Sequence, residues 1–176
     1  MSTDPRYPVG RFENPATYTA AERAQRIATL AAMPGEVRAL VAPLSAADLE
    51  RRYRPEGWTV RQVTHHLADS HLNAYIRMKL GLTQDEPTVL AYDEAVWAKL
   101  PDMNMPASVS LQLLEGLHQR WTALLGALAE SDFQKQVKHS EYGLMSLDHL
   151  LAMYAWHARH HTAHIRQALG RTAASA

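Results

Sequence analysis

Apolar residues recur at helical spacing in four long stretches of this chain, separated by polar runs. The first stretch covers about Ala20 to Val41, with Ile27, Leu30, Val37, Leu40 and Val41 apolar. Pro34-Gly35 falls in its middle and predicts a kink or break, because proline lacks an N–H and crowds the preceding turn. The second opens at Thr59, where Thr59-Val-Arg-Gln62 has the capping-box pattern and Trp58 can staple the start. It runs to about Leu80 and is expected to stop at Gly81. Val60, Val63, Leu67, Ala74 and Met78 share one face, with His66, Ser70 and Arg77 along its edge. His65 points away from that edge, towards Leu72 and Ile76. Apolar residues on two sides of this helix predict deep burial or a subunit interface.

The third stretch spans about Ser108 to Ala129, with Leu111, Leu114, Leu117, Trp121, Leu124, Leu125 and Leu128 in register. His118 in its middle reads as exposed or at the core edge. The fourth begins at Leu147, with Ser146 as N-cap and Asp148 suited to the positive helix start, and Gly170 marks its stop. Shorter features lie between these stretches. Residues 1–18 read as an irregular arm whose Tyr7, Val9 and Phe12 can pack on the body. Leu44 to Leu49 reads as a capped turn, and Arg51 to Gly57 as a polar connection. The long crossover 81–107 is expected to hold a short helix over Asp93–Lys99. Ser131 to Phe133 forms a turn, 135–145 a polar loop or small hairpin, and 171–176 a mobile tail. Four amphipathic helices without a clear strand pattern predict an all-α single domain over 1–176. The architecture is a four-helix bundle with a long crossover between helices 2 and 3.

Composition narrows the function. At 176 residues the chain is long enough for a sizeable core. Lys plus Arg and Asp plus Glu number 18 each, so the formal net charge is zero, which argues against a nucleic-acid or anionic-membrane partner. The N-terminus has no basic segment followed by an apolar one, and no apolar run reaches the roughly 18–20 residues of a membrane span. The expected location is therefore cytoplasmic. Cysteine is absent, so any metal must sit on nitrogen and oxygen ligands.

Of the ten histidines, five lie in the fourth stretch. His149, Met153, His157, His160 and His164 fall on one side, beside an apolar stripe of Leu147, Leu150, Leu151, Tyr154 and Ile165. Two pairs, His157/His161 and His160/His164, have the i, i+4 spacing that lets imidazoles on successive turns reach one cation. The spacing alone does not choose between them, although His157/His161 lies nearer the apolar stripe. Two ligands on one helix need a third from elsewhere, and His66 at the edge of the second helix can supply it. Three imidazoles leave a coordination position open, as in catalytic sites. Asp69, Asp93 and Glu94 are weak candidates for a general base, and Tyr92 and Tyr154 for outer partners. Trp97, Trp156 and Arg77 can line a pocket.

The blocks Trp58-Thr-Val-Arg-Gln-Val-Thr-His-His-Leu-Ala-Asp-Ser-His71, Tyr92-Asp-Glu-Ala-Val-Trp97, Trp121-Thr-Ala-Leu-Leu125 and Trp156-His-Ala-Arg-His-His-Thr-Ala-His-Ile165 closely resemble the YfiT-like group of the DinB superfamily. The resemblance runs from Tyr7-Pro-Val-Gly10 to the last helix. It implies a four-helix bundle, a homodimer, and one divalent metal, nickel or zinc, on three histidines. Carried over by position, the implied metal ligands are His66, His160 and His164. It further implies transfer of a low-molecular-weight thiol of the bacillithiol type to a small electrophile. One alternative is a metal-dependent hydrolase using metal hydroxide. Another is a non-catalytic metal-binding or stress-response protein.

Overall fold

The computed structural model describes residues 4–171, and the tail expected beyond Arg171 lies outside them. Four long helices form the body: α1 (Ala20–Val41), α3 (Val60–Thr83), α5 (Ala107–Gly126) and α6 (Leu147–Ala168). The short α2 (Ala46–Leu49) and α4 (Glu94–Trp97) sit in the connections. Helices α1 and α5, α5 and α3, α3 and α6, and α6 and α1 pack as neighbours. That closes a ring in which α1 faces α3, and α5 faces α6, across the diagonal. The chain is thus the expected four-helix bundle, with the crossover joining two adjacent helices, α3 and α5. Leu30, Leu67, Met78, Leu114, Trp121 and Leu151 fill its core. Among the described residues, no helix is long and apolar enough to cross a membrane.

The caps follow the sequence. Thr59 and Gln62 satisfy each other's backbone N–H groups at the start of α3. The Ser146 hydroxyl accepts from the His149 N–H at the start of α6. Past the end of α6, Gly170 takes φ +67°, and the N–H groups of Arg171 and Gly170 bond to the carbonyls of Arg166 and Gln167. This is the paired closure that glycine permits by accepting a positive φ.

Three local expectations change. α1 runs unbroken through Pro34. The carbonyl that a residue-34 N–H would have bonded is that of Leu30, and His118 Nδ1 donates to it at 2.7 Å. His118 is therefore buried against α1, not exposed. α3 continues past Gly81 to Thr83. A Cβ on Gly81 would lie 2.8 Å from side-chain carbons of Leu147 and Val137, so glycine serves close packing there rather than a stop. Asp148 sits in the first turn of α6 as expected, where it is fully buried and Arg23 of α1 grips both its oxygens at 2.8 Å.

The expected hairpin forms from β2 (Gln136–His139) and β3 (Gly143–Ser146), and β1 (Thr88–Val89) from the crossover pairs parallel with β2. Two residues are too short for a periodic signal, so β1 was not legible in the sequence. The small sheet ties the crossover to the segment entering α6. The N-terminal arm also packs as expected at Tyr7 and Phe12, whose rings lie beside His160 and His149. Val9 stays exposed.

Candidate metal centre

A cavity of about 830 Å³ opens beside α3 and α6, with the arm, the crossover and the hairpin as its other walls. Helical spacing sends His66, Ser70 and Arg77 of α3 to one wall, and Tyr154, His157, His160, His161 and His164 of α6 to another. His66 Nε2 and His157 Nε2 approach to 3.2 Å. The rings of His66 and His161 are 4.7 Å apart, and those of His157 and His161 are 4.4 Å apart. One nitrogen from each of these three histidines lies within 4.8 Å of the others.

A second group, His160, His161 and His164, meets the same limit, but all three belong to one stretch of α6. His160 stacks on Trp156 at 4.4 Å, and His164 on Tyr53 at 3.9 Å. Among the described residues, His66 thus joins His157 and His161, while His160 and His164 sit together one step along the helix.

The donor set fits a transition metal. Tetrahedral zinc with bonds of about 2.0–2.1 Å holds its ligand nitrogens roughly 3.4 Å apart. The His66–His157 contact is already near that spacing. The other nitrogen of His157, Nδ1, meets His71 Nε2 at 3.1 Å. Anchoring the far nitrogen in this way is how proteins aim a ligating imidazole. Burial pushes the His66 imidazole down to about 4, with the nearby His160 adding repulsion. His157 and His161 are pushed well below the ordinary value, first by burial and then by the surrounding histidines. All three are neutral at pH 7, with lone pairs to give.

The other histidines divide by role. His65 Nε2 donates to the Met105 carbonyl at 3.0 Å, and its Nδ1 meets Ser110 Oγ at 2.7 Å. It therefore fastens α3 to the region before and within α5, away from the cluster. Asp69 is half-buried, and burial raises its carboxyl to about 6, helped by Asp102. It is not a lining residue of the cavity. Asp93 caps α4 through the Val96 N–H at 2.9 Å, and Glu94 reaches the cavity from an exposed position. None of these carboxylates touches the imidazole cluster.

The buried imidazoles carry a pH signature. His66 and His118 are each held near 4, against about 6.5 in an unfolded chain. Below pH 6.5 the unfolded state takes up protons that the folded state refuses, so stability falls with pH through the window from 6.5 to about 4. At pH 5 each group is expected to cost on the order of 2 kcal/mol. Urea unfolding of the metal-free protein at pH 7 and pH 5 measures this, and equal stabilities would refute it.

The fold and cluster together define a histidine-rich helical bundle with a site able to hold a metal. The family model described as the DinB superfamily matches residues 29–165, and the chain belongs to that superfamily. A protein of Halalkalibacterium halodurans named "putative metal-dependent hydrolase" is 45% identical over 169 residues, covering 96% of this chain and 99% of its own. One of the same name from Oceanobacillus iheyensis is 44% identical over 160 residues, covering 91% and 93%. The structure of YfiT from Bacillus subtilis, described as a "probable metal-dependent hydrolase with an unusual four-helix bundle topology", aligns with a TM-score of 0.89. It is 38% identical, over 96% of this chain and 99% of that one.

Proposed function

We propose that this chain is a cytoplasmic enzyme that holds one divalent transition metal, nickel or zinc, on His66, His157 and His161. The reading rests on one observation, the convergence of nitrogens from α3 and α6 at a cavity wall. When bound, the metal supplies Lewis acidity, lowering the pKa of a thiol or water in its open position.

The finer proposal is transfer of a low-molecular-weight thiol, of the bacillithiol kind, to an electrophilic small molecule. A sulfur–carbon bond forms, the carbon–leaving-group bond breaks, and the leaving group departs with the electron pair. The thiol proton passes to water. The groups packed around the cluster are imidazoles and the rings of Trp58 and Tyr154. Such a wall orients a substrate, and the carboxylates that line the cavity, Glu56, Glu94 and Glu141, come from the connections and the hairpin rather than from α3 or α6. Metal coordination alone can deprotonate a thiol near neutral pH, so transfer needs no carboxylate at the cluster. Hydrolysis is the second reading, favoured by the names of the relatives.

A homodimer belongs to the same proposal. It is supported by exposed apolar side chains on neighbouring helices, Ile76 of α3 and Val109 and Leu113 of α5, and light scattering tests it. For the chemistry, the zinc- or nickel-loaded protein is mixed with monochlorobimane, with and without glutathione or bacillithiol, and separately with p-nitrophenyl acetate. Adduct formation accelerated by the protein only when thiol is present is expected. Ester cleavage without thiol would replace transfer by hydrolysis. Neither reaction at full metal loading would leave a metal-binding protein without catalysis on these substrates.

A further inference from the structure

Arg77 is 7% exposed and lines the cavity. Its Nη1 donates to the Tyr154 hydroxyl at 3.2 Å, and its Nη2 to the Leu90 carbonyl. A guanidinium has five N–H donors, so among the described residues three have no protein acceptor. Among the described residues, the one other arginine this deeply buried, Arg23 at 6% exposure, holds Asp148. Among the described residues, none of the ion pairs includes Arg77. A desolvated charge without a counter-charge is costly, and a protein that keeps one facing a cavity has the arrangement of an anion receptor.

The surroundings offer hydroxyl groups, and two carboxylates, Glu94 and Glu141, also line the cavity. Ser70, Tyr92 and Tyr154 line the same cavity as Arg77, and the Tyr154 hydroxyl accepts from the guanidinium. Tyr154 also lies 5.6 Å, ring to ring, from His157. An anion on Arg77 would therefore sit one aromatic ring away from the proposed metal ligands. One unpaired positive charge matches one negative charge, and the planar fork matches the two oxygens of a carboxylate.

We infer that Arg77, with the hydroxyls of Ser70, Tyr92 and Tyr154, forms a subsite for a carboxylate on the small-molecule substrate. The inference deepens the proposed function and rests on it for the subsite's part in turnover. Carboxylate capture itself needs no metal.

The test uses metal-free protein at pH 7.5 and follows tryptophan fluorescence, since Trp58 and Trp156 line the same cavity. The probes are phenylacetate and its neutral isostere phenylacetamide. Phenylacetate is expected to bind at least about tenfold more tightly, the lower end for hydrogen bonds to a charged group. In Arg77→Gln the two probes are expected to bind within about twofold of each other, whereas Arg77→Lys keeps part of the preference. Equal binding of the two probes by the unaltered protein would overturn the subsite, whether or not the variants fold. So would a preference that survives Arg77→Gln. Metal content, measured separately, fails or holds independently of this result, so loss of the metal reading and loss of the subsite are distinguishable.

Discussion

Replacing His157 by alanine is expected to strip the metal from the protein, while replacing His164 leaves about one equivalent bound. The two residues are seven apart on α6, and both belong to an i, i+4 histidine pair. What separates them is the company they keep. His157 Nε2 faces His66 Nε2 at 3.2 Å, and its Nδ1 is fixed by His71. His164 is stacked flat on Tyr53, with its Nδ1 3.4 Å from His161 Nδ1. Losing an outer partner of a metal ligand costs roughly 10–100-fold in affinity, so deleting a ligand is expected to cost more than about 100-fold. Elemental analysis of untagged protein, after dialysis against a weak chelator, measures the outcome. Both variants should keep the helix content of the parent, because α6 is held by its core face and not by its imidazoles. The reverse pattern, with metal lost in His164→Ala and kept in His157→Ala, would instead support the set His66, His160 and His164. Metal kept in both, and in His66→Ala, would remove the three-histidine centre altogether.

That choice shows where the sequence stops being sufficient. The spacing of histidines on α6 identifies two candidate pairs, because i, i+4 neighbours lie on one face whatever surrounds them. Which pair meets α3 depends on the rotation of α6 about its own axis, which the whole bundle sets. His66 could be anticipated because it borders the apolar face of α3, which must turn inward. The four long helices were legible for the same reason, together with their caps at Thr59 and Ser146 and the glycine closure at Gly170. Pro34 does not break α1 because its cost is offset from another helix: His118, eighty-four residues away, takes the carbonyl that proline leaves free. Arg77 reads in the sequence as an edge residue able to line a pocket. Its lack of a carboxylate partner emerges only when the crossover folds over it and Leu90 accepts from it. Local propensity therefore specifies the elements, and the chemistry of the site comes from contacts between residues far apart in sequence.

Replacing Arg23 by alanine is expected to cost about 3–5 kcal/mol of folding stability, the range for leaving one partner of a buried ion pair alone. Arg23 and Asp148 lie 125 residues apart and join the first turn of α1 to the first turn of α6. Asp148 is wholly buried, and besides Arg23 it has Gln134 Nε2 at 3.3 Å. The guanidinium also lies over the Phe133 ring, 4.4 Å from its centre, so the side chain packs as well as pairs. Without Arg23, a carboxylate stays in a dry interior with one amide donor in place of its charged partner. Against a typical total of about 5–15 kcal/mol, that loss alone can bring a domain near its unfolding threshold. Urea unfolding followed by circular dichroism at pH 7 measures it, and a loss below about 1 kcal/mol would show that the pair is not energetically buried. The double variant Arg23→Met with Asp148→Leu is expected to recover most of the loss, because an apolar pair of similar volume avoids both desolvation costs. α6 should still start in register in that variant, since its N-cap is Ser146. Recovery would show that the single variant's cost comes from the stranded charge, whereas no recovery would assign it to the packing of Arg23 on Phe133.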